Sequence, residues 1–196
     1  MTDKSIGSAI RTYTGVLFDF LEPEKSPISI EDTAHALSLL CRFAGHCKKF
    51  YSVAEHSVRV SYACEPEHAM WGLHHDDSEF CCVDVPRPLK YLPGMENYRA
   101  HEKRVQARFV NVLGLSPALE PTEVKWADMR LLVTEQRDML RNSIPDFNVP
   151  PLINQIKPWS SRKANYLYKL RHAELTKKPL KWYEKVILWH LKRTLI

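Results

Sequence analysis

Two long segments, 96–113 and 122–141, repeat apolar residues at helical spacing, and this periodicity limits the fold more than any other feature of the chain. In the first, Tyr98, Val105, Phe109 and Val112 share a face and Gly114 supplies a C-terminal stop. In the second, Val124, Ala127 and Leu131 do the same, with Val133 or Thr134 nearby. With only 6 glycines in 196 residues and stretches of this length, the chain reads as an all-α helical bundle. Further helices follow from local start signals. Ser29 with Asp32, and Ser52 with Glu55, have the spacing of capping boxes and predict helices over 30–41 and 53–63. Pro66 suits a first helical turn and opens a helix carrying Ala69, Leu73 and His75 to about Phe80. Residues 10–20, rich in Thr, Tyr, Val and Phe around Thr14–Gly15, predict a short N-terminal β-hairpin. The segment 84–94 holds three prolines and reads as a loop, and 143–160 holds four more and reads as a surface crossing. A last helix pair is expected near 160–175 and 180–195.

Size and composition fit one domain over 1–196, with a core over about 10–141 and a helical extension over about 143–196. An apolar content of 44% with 10% aromatics excludes low-complexity disorder. The net charge of +5 is unevenly spread: residues 157–196 carry 11 Lys and Arg against 2 acids, and the remainder is slightly acidic. The cysteines Cys41, Cys47, Cys64, Cys81 and Cys82 are odd in number and lack C-x-x-C spacing, which argues against a disulfide framework or a cysteine zinc site. No basic-then-apolar leader opens the chain and no run of about 18 apolar residues occurs, so a cytoplasmic protein without a membrane segment is expected.

Three places put ionisable groups where a helix should be apolar. His56 lies on the inward side of its helix, either as a satisfied core histidine or as a ligand. Residues 74–79 read His-His-Asp-Asp-Ser-Glu, either an exposed polar turn or a site. Asp128 has Val124, Leu131 and Leu132 as helical neighbours, and a carboxylate on such a face is costly unless paired or bound to a metal. Together they offer two imidazoles and two carboxylates, which suits a divalent ion such as Mn²⁺, Co²⁺, Fe²⁺, Zn²⁺ or Mg²⁺. Water bound to such an ion ionises near neutral pH, so hydrolysis is the chemistry this set favours. Glu79 follows Asp76 by three residues and His75 by four, and on a helix shares their face.

The segments AEHS (54–57), HHDDSE (74–79), DVPRPLK (84–90) and KWADMRLLVTE (125–135), with RFAGH at 42–46, resemble the H…HD…D signature of HD-domain phosphohydrolases. The resemblance is to the small bacterial and phage members that act on deoxynucleotides, and covers roughly residues 10–141. It implies that His56, His75, Asp76 and Asp128 ligate the metal, that Glu79 acts as general acid or base, and that Asp84 is a second acid near the leaving oxygen. It also implies that Arg42 and Lys90 hold phosphate, and that Phe43 lies against base or sugar. Gly45 leaves space beside it for a purine. Arg87 is a third cation without an implied role, and His46 and His74 are structural or supporting. Relatives of this size often form dimers or hexamers, so the resemblance implies a homo-oligomer.

The expected activity is attack on the 5′-linked phosphorus of a deoxynucleotide, releasing deoxynucleoside with triphosphate or phosphate; a phage-type dATP triphosphohydrolase is the sharpest form. Alternatives are a 5′-deoxynucleotidase, an alarmone hydrolase, and a nucleic-acid-binding protein with a vestigial centre. Phe80, where alarmone hydrolases carry an acid, speaks against the second of these. The last would use Trp182, Tyr183 and Trp189 among Lys181, Lys185, Lys192 and Arg193. Trp182, Val186, Trp189 and Arg193 also have the spacing of a helix packed on a core or neighbouring subunit, which is the favoured reading.

Overall fold

The computed structural model of the chain describes residues 7–141 and 148–195, so the expected junction near 143 lies outside the described residues. The chain opens with the antiparallel hairpin β1 (Ala9–Arg11) and β2 (Leu17–Asp19), with Ile10 opposite Phe18. Thr14 donates twice to Asp32, tying the hairpin to the next helix. That use of Asp32 explains why the first capping box is only half made: the Ser29 hydroxyl caps α1 (Ile30–Leu39), while the Asp32 carboxylate serves the hairpin.

The central element is α2 (Val53–Ala63), capped by the Ser52 hydroxyl at the Glu55 amide. Every residue of α2 from Val53 to Tyr62 is buried, because α1, α3, α7 and α8 all pack on it. Its polar residues are therefore partnered. The Glu55 carboxylate turns away from the cap to take Arg59 at 2.7 and 3.0 Å and the Trp159 amide at 2.7 Å. Ser61 donates to the Ala69 carbonyl at 2.7 Å. A short α3 (Ala69–His74) crosses α2 so closely that a Cβ on Gly72 would lie 2.8 Å from Cys64 Sγ and 3.1 Å from the Ser61 backbone.

The single helix expected to run to about Phe80 is interrupted over 75–78 and resumes as α4 (Glu79–Cys82). One turn of helix, α5 (Arg87–Lys90), lies inside the proline-rich loop. Next come α6 (Glu96–Leu113), closed by Gly114 at φ 62°, and α7 (Thr122–Met139). Residues 148–160 are not a loose surface crossing: Leu152, Ile156 and Trp159 are buried, and Thr134, Arg137 and Asp138 of α7 bond the strap's backbone.

The last helices are α8 (Ser161–Leu175) and α9 (Trp182–Thr194). Leu167, Tyr168, Leu188, Leu191 and Leu195 share one core with Phe18, Leu37, Val58, Phe80 and Phe109, while Tyr51, Val60, Trp71, Val124 and Leu131 form a second. The stripe expected to pack on this core does not: Trp182 is 77% exposed and Trp189 60%. The inward face of α9 is Leu188, Leu191 and Leu195, which are buried in one cluster with Leu167 and Tyr168 of α8. No helix among the described residues is long and apolar enough to cross a membrane.

Candidate metal centre and substrate cavity

His56, His75 and Asp76 each offer a ligand atom within 4.8 Å of the others, a cluster that could hold a metal ion. The two imidazole Nε2 atoms face each other at 3.2 Å. Asp76 Oδ2 lies 3.5 Å from His56 Nε2 and 3.2 Å from His75 Nε2, and Asp128 Oδ1 lies 3.1 and 3.9 Å from the same two atoms. All four sequence-predicted ligands thus converge, from α2, α7 and the end of α3.

The outer nitrogens fix the orientation of the two rings. His56 Nδ1 lies 2.7 Å from Glu135 Oε1, and His75 Nδ1 lies 3.0 Å from the Gly72 carbonyl. Both partners accept, so each Nδ1 donates and each ring turns its Nε2 inward. Two Nε2 atoms and two carboxylates then face one point, an arrangement that favours positive charge there, either a proton on an imidazole or a metal ion. The electrostatics agree. Burial alone would push His75 down, but Asp76 and then Asp128 carry its pKa up to about 10. Despite burial, His75 and then His56 and Arg42 hold the Asp76 carboxyl far below its usual range. The donor set, neutral imidazole with carboxylate oxygen, fits a borderline or hard divalent ion.

Glu135 was not singled out in the sequence. It is fully buried, and its second oxygen takes Arg42 Nε and Nη2 at 3.2 and 3.1 Å. One carboxylate therefore orients a candidate ligand histidine and fixes the Arg42 cation beside it. Its place two helical turns after Asp128 was the available signal.

Beside the cluster opens a cavity of about 710 Å³, lined by Arg42, Phe43, Asp76, Glu79, Asp84, Arg87, Lys90 and Asp128 among others. This volume falls in the range of small-molecule sites, ~300–1,000 Å³. Glu79 is buried, and its Oε2 has no hydrogen-bond partner among the described residues. Burial, then Asp76 and Asp84, hold its carboxyl well above the ordinary range. Asp84 is raised too, by burial first, with Arg42 opposing. Lys90 reaches the cavity while paired with Glu102 at 2.7 Å.

Backbone strain gathers at the rim. Phe43, Ala44 and Gly45 all have positive φ, at 56°, 50° and 82°, and Val83 before Asp84 sits at 59°. Such conformations in non-glycine residues persist where the surroundings enforce them, typically at functional sites. Phe43 stacks against Arg42 at 5.5 Å and lines the cavity. Gly45 is not among the residues lining the cavity, although a Cβ there would meet open space, and its φ of 82° suits the left-handed turn. His46 is exposed, whereas His74 lies in a buried network with Asp77, Tyr168 and His172.

An all-α bundle carrying two histidines and two aspartates at one point beside a cavity defines a protein with a candidate metal centre. No family model matches the chain. It is 42% identical over 132 residues to the uncharacterized protein YfdR of Escherichia coli (strain K12), spanning 67% of this chain and 72% of YfdR. It is 32% identical over 126 residues to the uncharacterized protein RCAP_rcc00048 of Rhodobacter capsulatus, spanning 60% of this chain and 63% of that protein. The chain belongs to the YfdR family.

Proposed function

We propose that the protein is an HD-domain metal-dependent phosphohydrolase that cleaves deoxynucleotides at the 5′-linked phosphorus, dATP being the first substrate to test. The observation that supports this most is the convergence of His56, His75, Asp76 and Asp128 at the wall of a cavity that also presents Glu79, Arg42 and Lys90. Those four residues would hold a divalent ion, which when bound would supply Lewis acidity and lower the pKa of water.

The chain's own groups carry the remaining roles. Glu135 holds His56 in the tautomer that presents Nε2 inward. Arg42 gives Nε and Nη2 to Glu135, leaving Nη1, 3.7 Å from Asp76, as the edge that meets a phosphate oxygen. Lys90 adds a second positive charge where negative charge accumulates. Glu79, buried and unpartnered at Oε2, exchanges a proton with the attacking water or the leaving 5′ oxygen, and Asp84 lies on the same wall.

Product analysis across the deoxynucleoside mono- and triphosphates with Mn²⁺ or Co²⁺ tests the proposal. It expects deoxynucleoside with phosphate or triphosphate, abolished in Asp76→Ala. Release of no nucleoside from any of them, or activity surviving the substitution, overturns it.

A further inference from the structure

The turn that carries Asp76 and Glu79 is not α-helical, and a side chain from another helix holds it so. Ser78 N donates to Gln106 Oε1 at 3.0 Å, and Gln106 Nε2 donates to the His74 carbonyl at 2.8 Å. In an α-helix those two backbone groups would bond to each other. The Gln106 amide of α6 is therefore inserted into the open rung. Around it the backbone closes tighter bonds, Glu79 N to Asp76 O at 3.0 Å and Phe80 N to Asp77 O at 3.1 Å. These are i→i+3 bonds, and in that geometry side chains three apart eclipse one another.

The consequence falls on two pairs. His74 and Asp77 point inward together, joined at 2.6 Å and bonded to Tyr168 of α8. Asp76 and Glu79 line the cavity together. If 75–78 relaxed to an α-helix, Glu79 would rotate by ~60° relative to Asp76, since three steps of 100° replace three of 120°. The geometry points to Gln106 as a positioning residue: its amide holds the turn open so that the Glu79 carboxyl stands beside the metal-ligand Asp76. This rests on the hydrolase reading above for what Glu79 does, but the turn geometry stands on its own bonds.

Gln106→Met keeps the side-chain length and removes both hydrogen bonds. With the substrate found for the wild type, kcat is expected to fall about 100-fold, the order of loss produced by misplacing a catalytic group by about an ångström. KM should stay within about threefold, and Mn²⁺ affinity should fall less than kcat, on the order of 10-fold, because His75 and Asp76 lie in the turn whereas His56 and Asp128 stand on other helices. Because Gln106 acts through Glu79, Gln106→Met added to Glu79→Gln should cause almost no further loss. Unchanged kcat, Mn²⁺ affinity falling in step with kcat, or additive losses in the double variant would each overturn the assignment. A wild type inactive on every deoxynucleotide would sink the hydrolase reading alone. The positioning claim is then decided by a crystal structure of Gln106→Met, in which it expects a direct Ser78 N to His74 O bond with Glu79 rotated by ~60° relative to Asp76. An unaltered turn contradicts it.

Discussion

His56 and His75 point their Nε2 atoms at each other across 3.2 Å, with the opposite nitrogen of each ring already committed to an acceptor. Neither ring can relieve the contact by changing tautomer without losing its outer hydrogen bond. Positive charge between them, a proton or a metal ion, relieves the contact, and the predictions below follow from that arrangement and its supports.

Glu135 serves both the ligand His56 and the cation Arg42, so Glu135→Gln should affect two observables. Metal affinity is expected to drop about 10–100-fold, as for other residues that orient a ligand histidine. Stability should fall on the order of 3 kcal/mol, because Arg42 stays buried without its charge partner. Calorimetric Mn²⁺ titration and urea unfolding check the two effects, and an unchanged affinity would refute the orienting role.

Glu79→Gln removes the titrating carboxyl and keeps its shape. Turnover is expected to fall by about 10²–10⁴ while Mn²⁺ affinity stays within about threefold. Steady-state kinetics beside metal titration separates this from loss of the metal.

The buried pair of Glu55 and Arg59 ties α2 to the strap at Trp159 and touches neither cavity nor ligands. Arg59→Met leaves the Glu55 carboxylate buried with one backbone donor and should cost about 3–5 kcal/mol. The midpoint of urea denaturation reads this directly; a shift of under 1 kcal/mol would mean the pair contributes little.

His172 carries a pH signature distinct from the site. Burial, then His74, push its pKa down to about 4 in the folded protein. The unfolded chain takes up this proton near pH 6.5 and the folded chain only near 4, so its stabilising contribution is full above pH 6.5 and declines as pH falls toward 4. Between pH 7.5 and 5 the loss should be about 2 kcal/mol. His172→Gln should flatten the pH dependence of the unfolding free energy over that interval, and equal slopes in both proteins would contradict the assignment.

Helix limits were legible where the apolar period meets a local stop, as at Gly114 behind α6 and at the Ser52 cap of α2. The break at 75–78 was not, because its cause is Gln106, 28 residues from Ser78, and nothing near Ser78 announces an inserted amide. The four candidate ligands were readable because imidazole and carboxylate groups interrupt apolar faces. Glu135 was not, since a glutamate late in a helix reads as solvated until Arg42 is brought against it from a distant loop. In α9 the period announced a helix but not its orientation: Trp182, Val186 and Trp189 compete with Leu188, Leu191 and Leu195, and only the leucines join the core.

The central claim is that His56, His75, Asp76 and Asp128 form one cation site. Equilibrium binding of Mn²⁺ to the wild type and to Asp76→Ala tests it most directly. One saturable equivalent per chain, weakened at least ~100-fold by the substitution, is the expected result. Absence of saturable binding, or equal binding by both proteins, would contradict it.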